Sequence, residues 1–303
     1  MKRVALFFCV LVLSAVNLLI AQDGAKGVIK HISGNIYFLQ YSGGNMAALI
    51  VDERTLLIDT DMGGASGEWI KQTLKEINDA PIKYVVNTHY HGDHTNGNID
   101  FGDSSIIIAH ENTRKIRQMA FDSYNGFHYD PLPEMGLPEI TFNKQMSLYF
   151  NSEQIDLIYM PKGHSDTDIV VWFRNSKVIH MGDIFRNGRL PYIDIAGGAT
   201  VKGFINNLEK LISEIPDEYV IIPGHGEIAN KEDLKYYYKR FADAVDFIFE
   251  KIKQNKTLEE VKTLGLPLSY DNYPASGLEI DMWIEVVYRD LKEEIDDSEV
   301  VLN

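Results

Sequence analysis

THYHGDH, residues 88–94, places three imidazoles and one carboxylate within seven consecutive positions. It follows Ile82–Asn87, a short run of β-branched and aromatic residues that predicts a buried strand. On an extended segment leaving a strand, His89 and His91 point to the same side, so both rings can reach one metal ion. The motif is therefore predicted to lie at the exit of a strand and to bind metal.

The second part of the motif is better placed for another ion. Asp93 and His94 follow Gly92, where the chain can turn away from the strand. Imidazole and carboxylate ligands suit Zn²⁺, and iron or manganese accept them too. A lone histidine is more often a core or surface residue, but four ligand-type residues within six positions favour a metal site.

The hydrophobic pattern divides the chain into two similar halves, each with strands followed by helices. The predicted strands are Val28–Ser33, Asn35–Tyr41, Met46–Asp52, Leu56–Asp59 and Ile82–Asn87, then Met146–Phe150, Ile155–Met160, Asp168–Phe173, Val178–Met181 and Val220–Ile222. Helices are predicted after Ser66, which can cap the first of them, around residues 201–211, and within Lys231–Lys253 and Gly277–Glu293. This order predicts an α/β domain with two β-sheets packed face to face and helices outside.

Three isolated ligand-type residues follow predicted strands of the second half. They are His164, Asp183 and His225, and each has a glycine beside it that lets the chain turn sharply. Singly, each is better explained as a core histidine or a turn aspartate. Because all three come at the carboxyl ends of strands, together they predict a cleft shared with THYHGDH.

In this order the ligand-type residues resemble the full metal signature of the metallo-β-lactamase superfamily, across nearly the whole mature chain. The stretch Leu57–Asp61 resembles an earlier strand-end aspartate motif of that family, with Asp61 where glycine is more common. The resemblance implies the metallo-β-lactamase fold, an αβ/βα sandwich of two mixed sheets with the site at one edge.

The resemblance also implies the role of each residue. Two Zn²⁺ ions are expected, one on His89, His91 and His164, the other on Asp93, His94 and His225, with Asp183 bridging both and Asp59 helping to orient the site. A hydroxide held between two such ions attacks an amide, ester or lactone carbonyl. Asp93 is the expected catalytic residue, because it can orient the hydroxide and carry its proton to the leaving group.

Asp183 separates this chain from part of the superfamily. The β-lactamases with cysteine at this position do not match, and those with serine lack the bridge. Asp183 instead resembles glyoxalase II, lactonases and the tRNA-processing nuclease. Two alternatives to a hydrolase stay open: a mononuclear-iron oxidase or dioxygenase of the same fold, and a non-catalytic binding protein.

The residues after Asp183 suggest the substrate. Arg186 has the offset at which the cysteine-type β-lactamases place the lysine that binds the substrate carboxylate, although a surface arginine is the alternative. Arg189, Tyr192 and Asp194 are further candidates for the cleft, because they follow in a loop at the same rim. A small-molecule substrate, and an anionic one in particular, is expected, with β-lactams among the compounds to test.

The first 21 residues are predicted to be a signal peptide, and residues 22–303 a single domain. Lys2 and Arg3 precede an apolar run, Val4–Ile20. A retained membrane anchor is the alternative; removal predicts a periplasmic or secreted protein without stable membrane association. The only cysteine, Cys9, lies in this leader, so the mature chain has no thiolate ligand.

The net charge of −15 argues against a nucleic-acid partner, because an acidic surface repels phosphate backbones. The oligomeric state is not indicated. The remaining histidines, His31, His110, His128 and His180, fit no ligand spacing and are expected at the surface or in the core. Ser123–Pro138, rich in glycine, proline and tyrosine, is expected to be a long connection or a loop over the cleft.

Overall fold

The computed structural model describes residues 27–124, 126–267 and 280–301. The predicted leader and the first residues of the last predicted helix lie outside these ranges. In chain order the strands are β1 Val28–Ser33, β2 Ile36–Gln40, β3 Met46–Val51, β4 Arg54–Ile58, β5 Ile82–Val86, β6 Ile106–His110, β7 Phe121–Asp122, β8 His128–Tyr129, β9 Ile140–Phe142, β10 Gln145–Phe150, β11 Glu153–Tyr159, β12 Ile169–Phe173, β13 Val178–His180 and β14 Val220–Ile222. The α-helices are α1 Ala65–Ile77, α2 Gly92–Thr95, α3 Glu111–Arg117, α4 Val201–Glu214, α5 Lys231–Lys253, α6 Leu258–Leu264 and α7 Ile280–Val301.

The strands form two large sheets and a short hairpin. One sheet has the order β1-β2-β3-β4-β5-β6-β9, and the other has the order β10-β11-β12-β13-β14. Pairing is antiparallel from β1 to β4 and parallel from β4 to β9, whereas in the second sheet only β13 and β14 are parallel. Strands β7 and β8 pair with each other.

The two sheets pack face to face over a common core. Buried side chains of the first sheet, such as Phe38 and Leu49, belong to one apolar cluster with Leu157 and Val171 of the second. Helix α1 covers the outer face of the first sheet, whereas α4, α5 and α7 cover that of the second. The predicted αβ/βα sandwich is confirmed.

The predicted start of α1 is wrong. The helix begins at Ala65 with Gly64 as its N-cap residue, and Ser66 lies inside the first turn. Gly64 has φ 61°, in the left-handed region that glycine adopts at little cost, so the backbone rather than a serine side chain sets the start. Ser66 Oγ instead donates to the carbonyl of Gly63 at 3.1 Å.

Within the described ranges, no helix is both long and apolar enough to span a bilayer.

Candidate metal centre

The ligand-type residues gather where strands of both sheets end. The THYHGDH loop leaves β5, and its Gly92–Thr95 segment forms α2. His164 lies between β11 and β12, Asp183 follows β13, and His225 follows β14. Parallel pairing of β4 with β5 and of β13 with β14 brings these carboxyl ends to one edge of the sandwich. The structure therefore unites all seven predicted ligands.

The first group of ligand atoms comprises His89, His91, His164 and Asp183. His91 Nδ1 lies 3.1 Å from His89 Nε2 and 2.9 Å from His164 Nε2. All four residues are buried. Burial lowers the pKa of His89, and it lowers that of His164 to about 3. Both rings are thus neutral at physiological pH, which is the form that binds metal.

The second group comprises Asp93, His94 and His225. His225 Nε2 lies 3.2 Å from Asp93 Oδ2, and His94 Nε2 lies 3.6 Å from the same oxygen. Asp183 reaches this group as well as the first. Its oxygens lie 3.3 Å from His94 Nε2 and from His225 Nε2, and 3.8 Å from His164 Nε2. Asp183 thus occupies the position between the two groups.

Two buried atoms indicate that these donors suit a cation. His94 Nε2 and Asp183 Oδ1 have no hydrogen-bond partner within the described part of the chain, although both are shielded from solvent. Leaving such atoms unsatisfied is costly, and a metal ion would satisfy them. Two glycines pack so closely against these ligand side chains that no larger residue would fit. A Cβ on Gly224 would lie 2.0 Å from Asp183 Oδ1, and a Cβ on Gly44 would lie 2.2 Å from His94 Cε1. Nitrogen and oxygen donors without thiolate fit zinc and accept iron or manganese.

Asp59 contacts the rear of the ligand rings, where it was expected. Its Oδ2 accepts a hydrogen bond from His94 Nδ1 at 2.8 Å and another from Thr88 Oγ1 at 2.7 Å. Thr88 Oγ1 lies 3.0 Å from His89 Nδ1, and the Thr88 amide donates to Asp59 Oδ1 at 2.7 Å. Asp59 therefore leaves Nε2 of both rings as the unprotonated atom that faces the centre.

Asp194 differs from the expectation that it lines the cleft. It is fully buried behind His91, and its Oδ2 accepts hydrogen bonds from His91 Nε2 at 2.9 Å and from the hydroxyl of Tyr90. The backbone carbonyl of Tyr192 accepts from His164 Nδ1 at 2.7 Å. Sequence reasoning missed these roles of Tyr90 and Tyr192, because the partners lie far apart in the chain and no local spacing marks them.

Asp61, which stands where the family more often has glycine, organises the loop next to the second group. Its carboxylate accepts hydrogen bonds from the backbone amides of Ser42 and Gly43 at 3.0 Å, and from Ser42 Oγ at 2.7 Å. The neighbouring Gly44 amide donates to the carbonyl of Asp93 at 3.1 Å. The buried Asp61 carboxylate therefore holds this loop against a ligand residue.

A cleft of about 400 Å³ opens over the ligand atoms. Its floor contains Asp93, Asp183 and His225, and further lining residues are Met62, Phe127, Tyr129, Arg186, Arg189 and Tyr192. Three predicted substrate contacts, Arg186, Arg189 and Tyr192, thus border the cleft. The hairpin of β7 and β8 also contributes to the wall of the cleft. This hairpin begins just before the irregular stretch Ser123–Pro138 and continues into it.

Arg186 is not a surface arginine. It is 7% exposed, its Nε lies 3.4 Å from Asp183 Oδ2, and its backbone forms a parallel β-bridge with His225.

The other histidines lie as expected. His31 and His128 are exposed, whereas His110 and His180 are buried.

Known proteins resemble the chain over much of its length. The model of a family described as the metallo-beta-lactamase superfamily matches residues 41–225. The chain is 21% identical over 194 residues to the metallo-beta-lactamase type 2 of Bacteroides fragilis, covering 63% of this chain and 72% of that protein. It is 25% identical over 183 residues to the 2,4-dinitroanisole O-demethylase subunit alpha of a Nocardioides strain, covering 57% of this chain and 52% of that protein. A solved metallo-beta-lactamase from Pontibacter korlensis has a TM-score of 0.59 and 18% identity, covers 72% of this chain and 100% of that chain, and supports the fold.

Proposed function

The chain belongs to the metallo-beta-lactamase superfamily, and from this we propose that it is an exported dinuclear zinc hydrolase that opens an amide, ester or lactone bond. One observation carries the proposal. Asp183 lies within 3.8 Å of ligand nitrogens in both groups of ligand atoms. A carboxylate in that position suits two cations held close together.

We assign three ligands to each ion and Asp183 to both. His89, His91 and His164 would bind the first, and Asp93, His94 and His225 the second. Two bound zinc ions supply an activated water and a Lewis acid for a carbonyl oxygen. The buried carboxylates of Asp59 and Asp194 keep the ligand rings in the required orientation.

Asp93 is the proposed proton carrier. Its side chain is 31% exposed, more than that of the buried Asp183, and it faces the cleft. A carboxylate there can accept the proton of the attacking water and pass it to the leaving group. Because one residue both accepts this proton and releases it, the leaving group of the hydrolysed bond must still be in the cleft when the proton is passed on.

Two arginines of the cleft wall are the reason to propose a small anionic substrate. Arg186 and Arg189 bring positive charge to the wall of a cleft in a chain whose formal net charge is −15. Such a local cation can pair with a carboxylate. β-Lactams carry one, and a relative's name records activity on them. A nucleic-acid partner stays disfavoured by the overall charge.

Metal analysis followed by a substrate panel tests the proposal. The zinc, iron and manganese content of the purified protein would be measured first, and two zinc ions per chain are expected. The zinc-loaded protein would then be offered nitrocefin, a homoserine lactone, a thioester and a phosphodiester. Turnover of at least one of the first three is expected.

Each other outcome points to a named alternative. One iron per chain would support a mononuclear oxidase or dioxygenase, and no bound metal would support a binding protein. Two zinc ions without turnover of nitrocefin, lactone or thioester would contradict the proposed substrate class. Fractionation of the native producing cells, with the start of the mature chain determined by mass spectrometry, tests export and the leader.

A further inference from the structure

Asn96 is a polar residue of the cleft that the two ligand groups leave unused. It lies three residues after Asp93, at the start of the 3-10 turn Asn96–Asp100, and it lines the cleft beside Gly92 and Asp93. A Cβ built on Gly92 would lie 2.8 Å from Asn96 Nδ2, so the amide packs directly on the ligand loop. This places a side chain with two N–H donors next to the proposed proton carrier.

The buried Arg117 determines which end of the Asn96 amide is the oxygen. Arg117 ends α3 and is 2% exposed, and its Nη2 lies 2.9 Å from Asn96 Oδ1. Because a guanidinium group only donates hydrogen bonds, the atom facing it must be the oxygen. The amide nitrogen is therefore the atom left to interact elsewhere, and within the described residues it has no acceptor.

Apart from Asn96, the buried guanidinium group of Arg117 has few partners. Its Nε and Nη1 have no hydrogen-bond partner in the described part of the chain. The guanidinium lies over the ring of Tyr129, 5.6 Å from its centroid, and burial lowers the pKa of the group. Burying a charge with so few partners is costly. The guanidinium group contacts Asn96 and Tyr129, and both of these residues line the cleft.

We propose that Asn96 Nδ2 donates a hydrogen bond to the substrate oxygen that gains negative charge during hydrolysis, and that Arg117 is the positioning residue that aims it. The inference rests on the proposed hydrolase function. A donor fixed before the reaction stabilises developing charge without reorganising, and this is the contribution expected of Asn96.

The kinetic test compares Asn96→Ala and Asn96→Asp with wild type in the zinc-loaded full chain, using whichever panel substrate is turned over. Loss of the donor is expected to lower kcat about 10- to 100-fold, because the interaction strengthens in the transition state. Zinc content and KM should stay unchanged. Asn96→Asp keeps the shape but replaces the donor with an acceptor, so its kcat should fall at least as far. Asn206→Ala, an exposed asparagine on α4, is the control.

The positioning role of Arg117 is tested by a double-mutant cycle. Arg117→Lys keeps the positive charge but loses the planar fork, and it should lower kcat less than Asn96→Ala does. The double variant should be no slower than Asn96→Ala alone, because the positioning residue acts through Asn96. Fully multiplicative losses would show that Arg117 only supports the fold.

A binding measurement does not depend on turnover. Inorganic phosphate is a tetrahedral oxyanion, and its Kd would be measured by titration calorimetry on the zinc-loaded protein. Asn96→Ala is expected to raise this Kd about tenfold, the effect of losing one hydrogen bond to a charged group. Asn206→Ala should match wild type.

Failure of this inference and failure of the proposed function are distinguishable. An unchanged phosphate Kd in Asn96→Ala would overturn the inference whatever the enzyme hydrolyses, and so would loss of zinc from that variant. If wild type turns over no panel member while Asn96→Ala still weakens phosphate binding, the proposed function fails and the donor role of Asn96 is retained.

Discussion

At the residue scale, the carboxylate of Asp59 connects the two halves of the THYHGDH loop. It accepts hydrogen bonds from His94 and from Thr88, and Thr88 in turn contacts His89. Asp59 has φ 61°, in the left-handed region where aspartate and asparagine are the best tolerated residues after glycine. Asp59 thus combines an uncommon backbone conformation with contacts that orient two ligand rings, His94 directly and His89 through Thr88.

Asp59→Asn should therefore keep the backbone and disturb only the hydrogen bonds. An amide presents a donor to at least one group that already donates, so the His94 or Thr88 contact is lost. We expect zinc affinity to fall about 10- to 100-fold. Chelator competition measures it, and the melting temperature of the metal-free variant controls for folding. Unchanged affinity would mean that the ligand rings are oriented without Asp59.

Arg186→Ala tests the predicted anionic substrate. Loss of a charge-assisted hydrogen bond to a carboxylate is expected to raise KM for anionic substrates about tenfold while sparing neutral ones. Because Arg186 lies 3.4 Å from Asp183, zinc content must be measured in the same samples. Lys30→Ala, which removes an exposed positive charge on β1, is the control. Equal effects on anionic and neutral substrates would remove the carboxylate role.

The gathering of all seven expected ligand residues at one edge could be predicted from their places after strands and from the family resemblance. The outer contacts could not. His91 and Asp194 are 103 positions apart, and nothing near Asp194 in the sequence distinguishes a buried hydrogen-bond acceptor from a loop residue. Likewise, the buried arginine Arg117 pairs with Asn96 only through the folding of α3 against the ligand loop.

At the element scale, most strands of the two large sheets were predicted, including the fully buried β3 and β12, whereas β6 and β9 were missed. Side chains of β10 alternate between exposed and partly buried, and those of β11 between buried and partly buried; the predicted bounds of both strands differ little from those observed. Strand β6 lies between parallel neighbours, and four of its five residues are buried. Such a strand shows no alternation. Strand β9 has only three residues, too few for any period.

The hairpin of β7 and β8 carries an apolar side chain at the cleft. Phe127 is 59% exposed and lines the cleft wall. Phe127→Ala should raise KM about fivefold for substrates with an apolar group, since partial burial of a phenylalanine by such a group is worth about 1 kcal/mol. The melting temperature should change little, because exposed side chains contribute little to folding. Tyr149→Ala, 66% exposed on β10, is the control. A KM unchanged across all substrates would exclude the hairpin from binding.

At the scale of the whole molecule, Glu285 joins this hairpin region to two helices. Its carboxylate accepts hydrogen bonds from Lys262 of α6 at 2.5 Å and from Arg289 of α7 at 2.9 Å. It also accepts one from the hydroxyl of Tyr124, at 3.2 Å, in the loop between β7 and β8. A single carboxylate on α7 therefore contacts elements from both halves of the chain.

The stability of the protein should depend on the ionisation of Glu285. Hydrogen bonds from Lys262 and Arg289 lower the pKa of its carboxyl from an ordinary 4.5 to about 2. Because the folded pKa is depressed, the contribution is fully present above the ordinary pKa and is lost as pH falls from about 4.5 through about 2. The group is partly exposed, so we expect at most ~1 kcal/mol.

Urea unfolding of wild type and Glu285→Gln between about pH 6 and pH 2 tests this linkage. The difference in free energy of unfolding should be constant above about pH 5 and shrink as the wild-type carboxylate becomes protonated. Subtracting the two curves removes acid effects that both proteins share, including loss of metal. Glu76→Gln, an exposed glutamate on α1, is the matched control for removing one negative charge. A difference that does not vary with pH would mean that the network stabilises the fold through packing, because charge pairing must disappear when the carboxylate is neutralised.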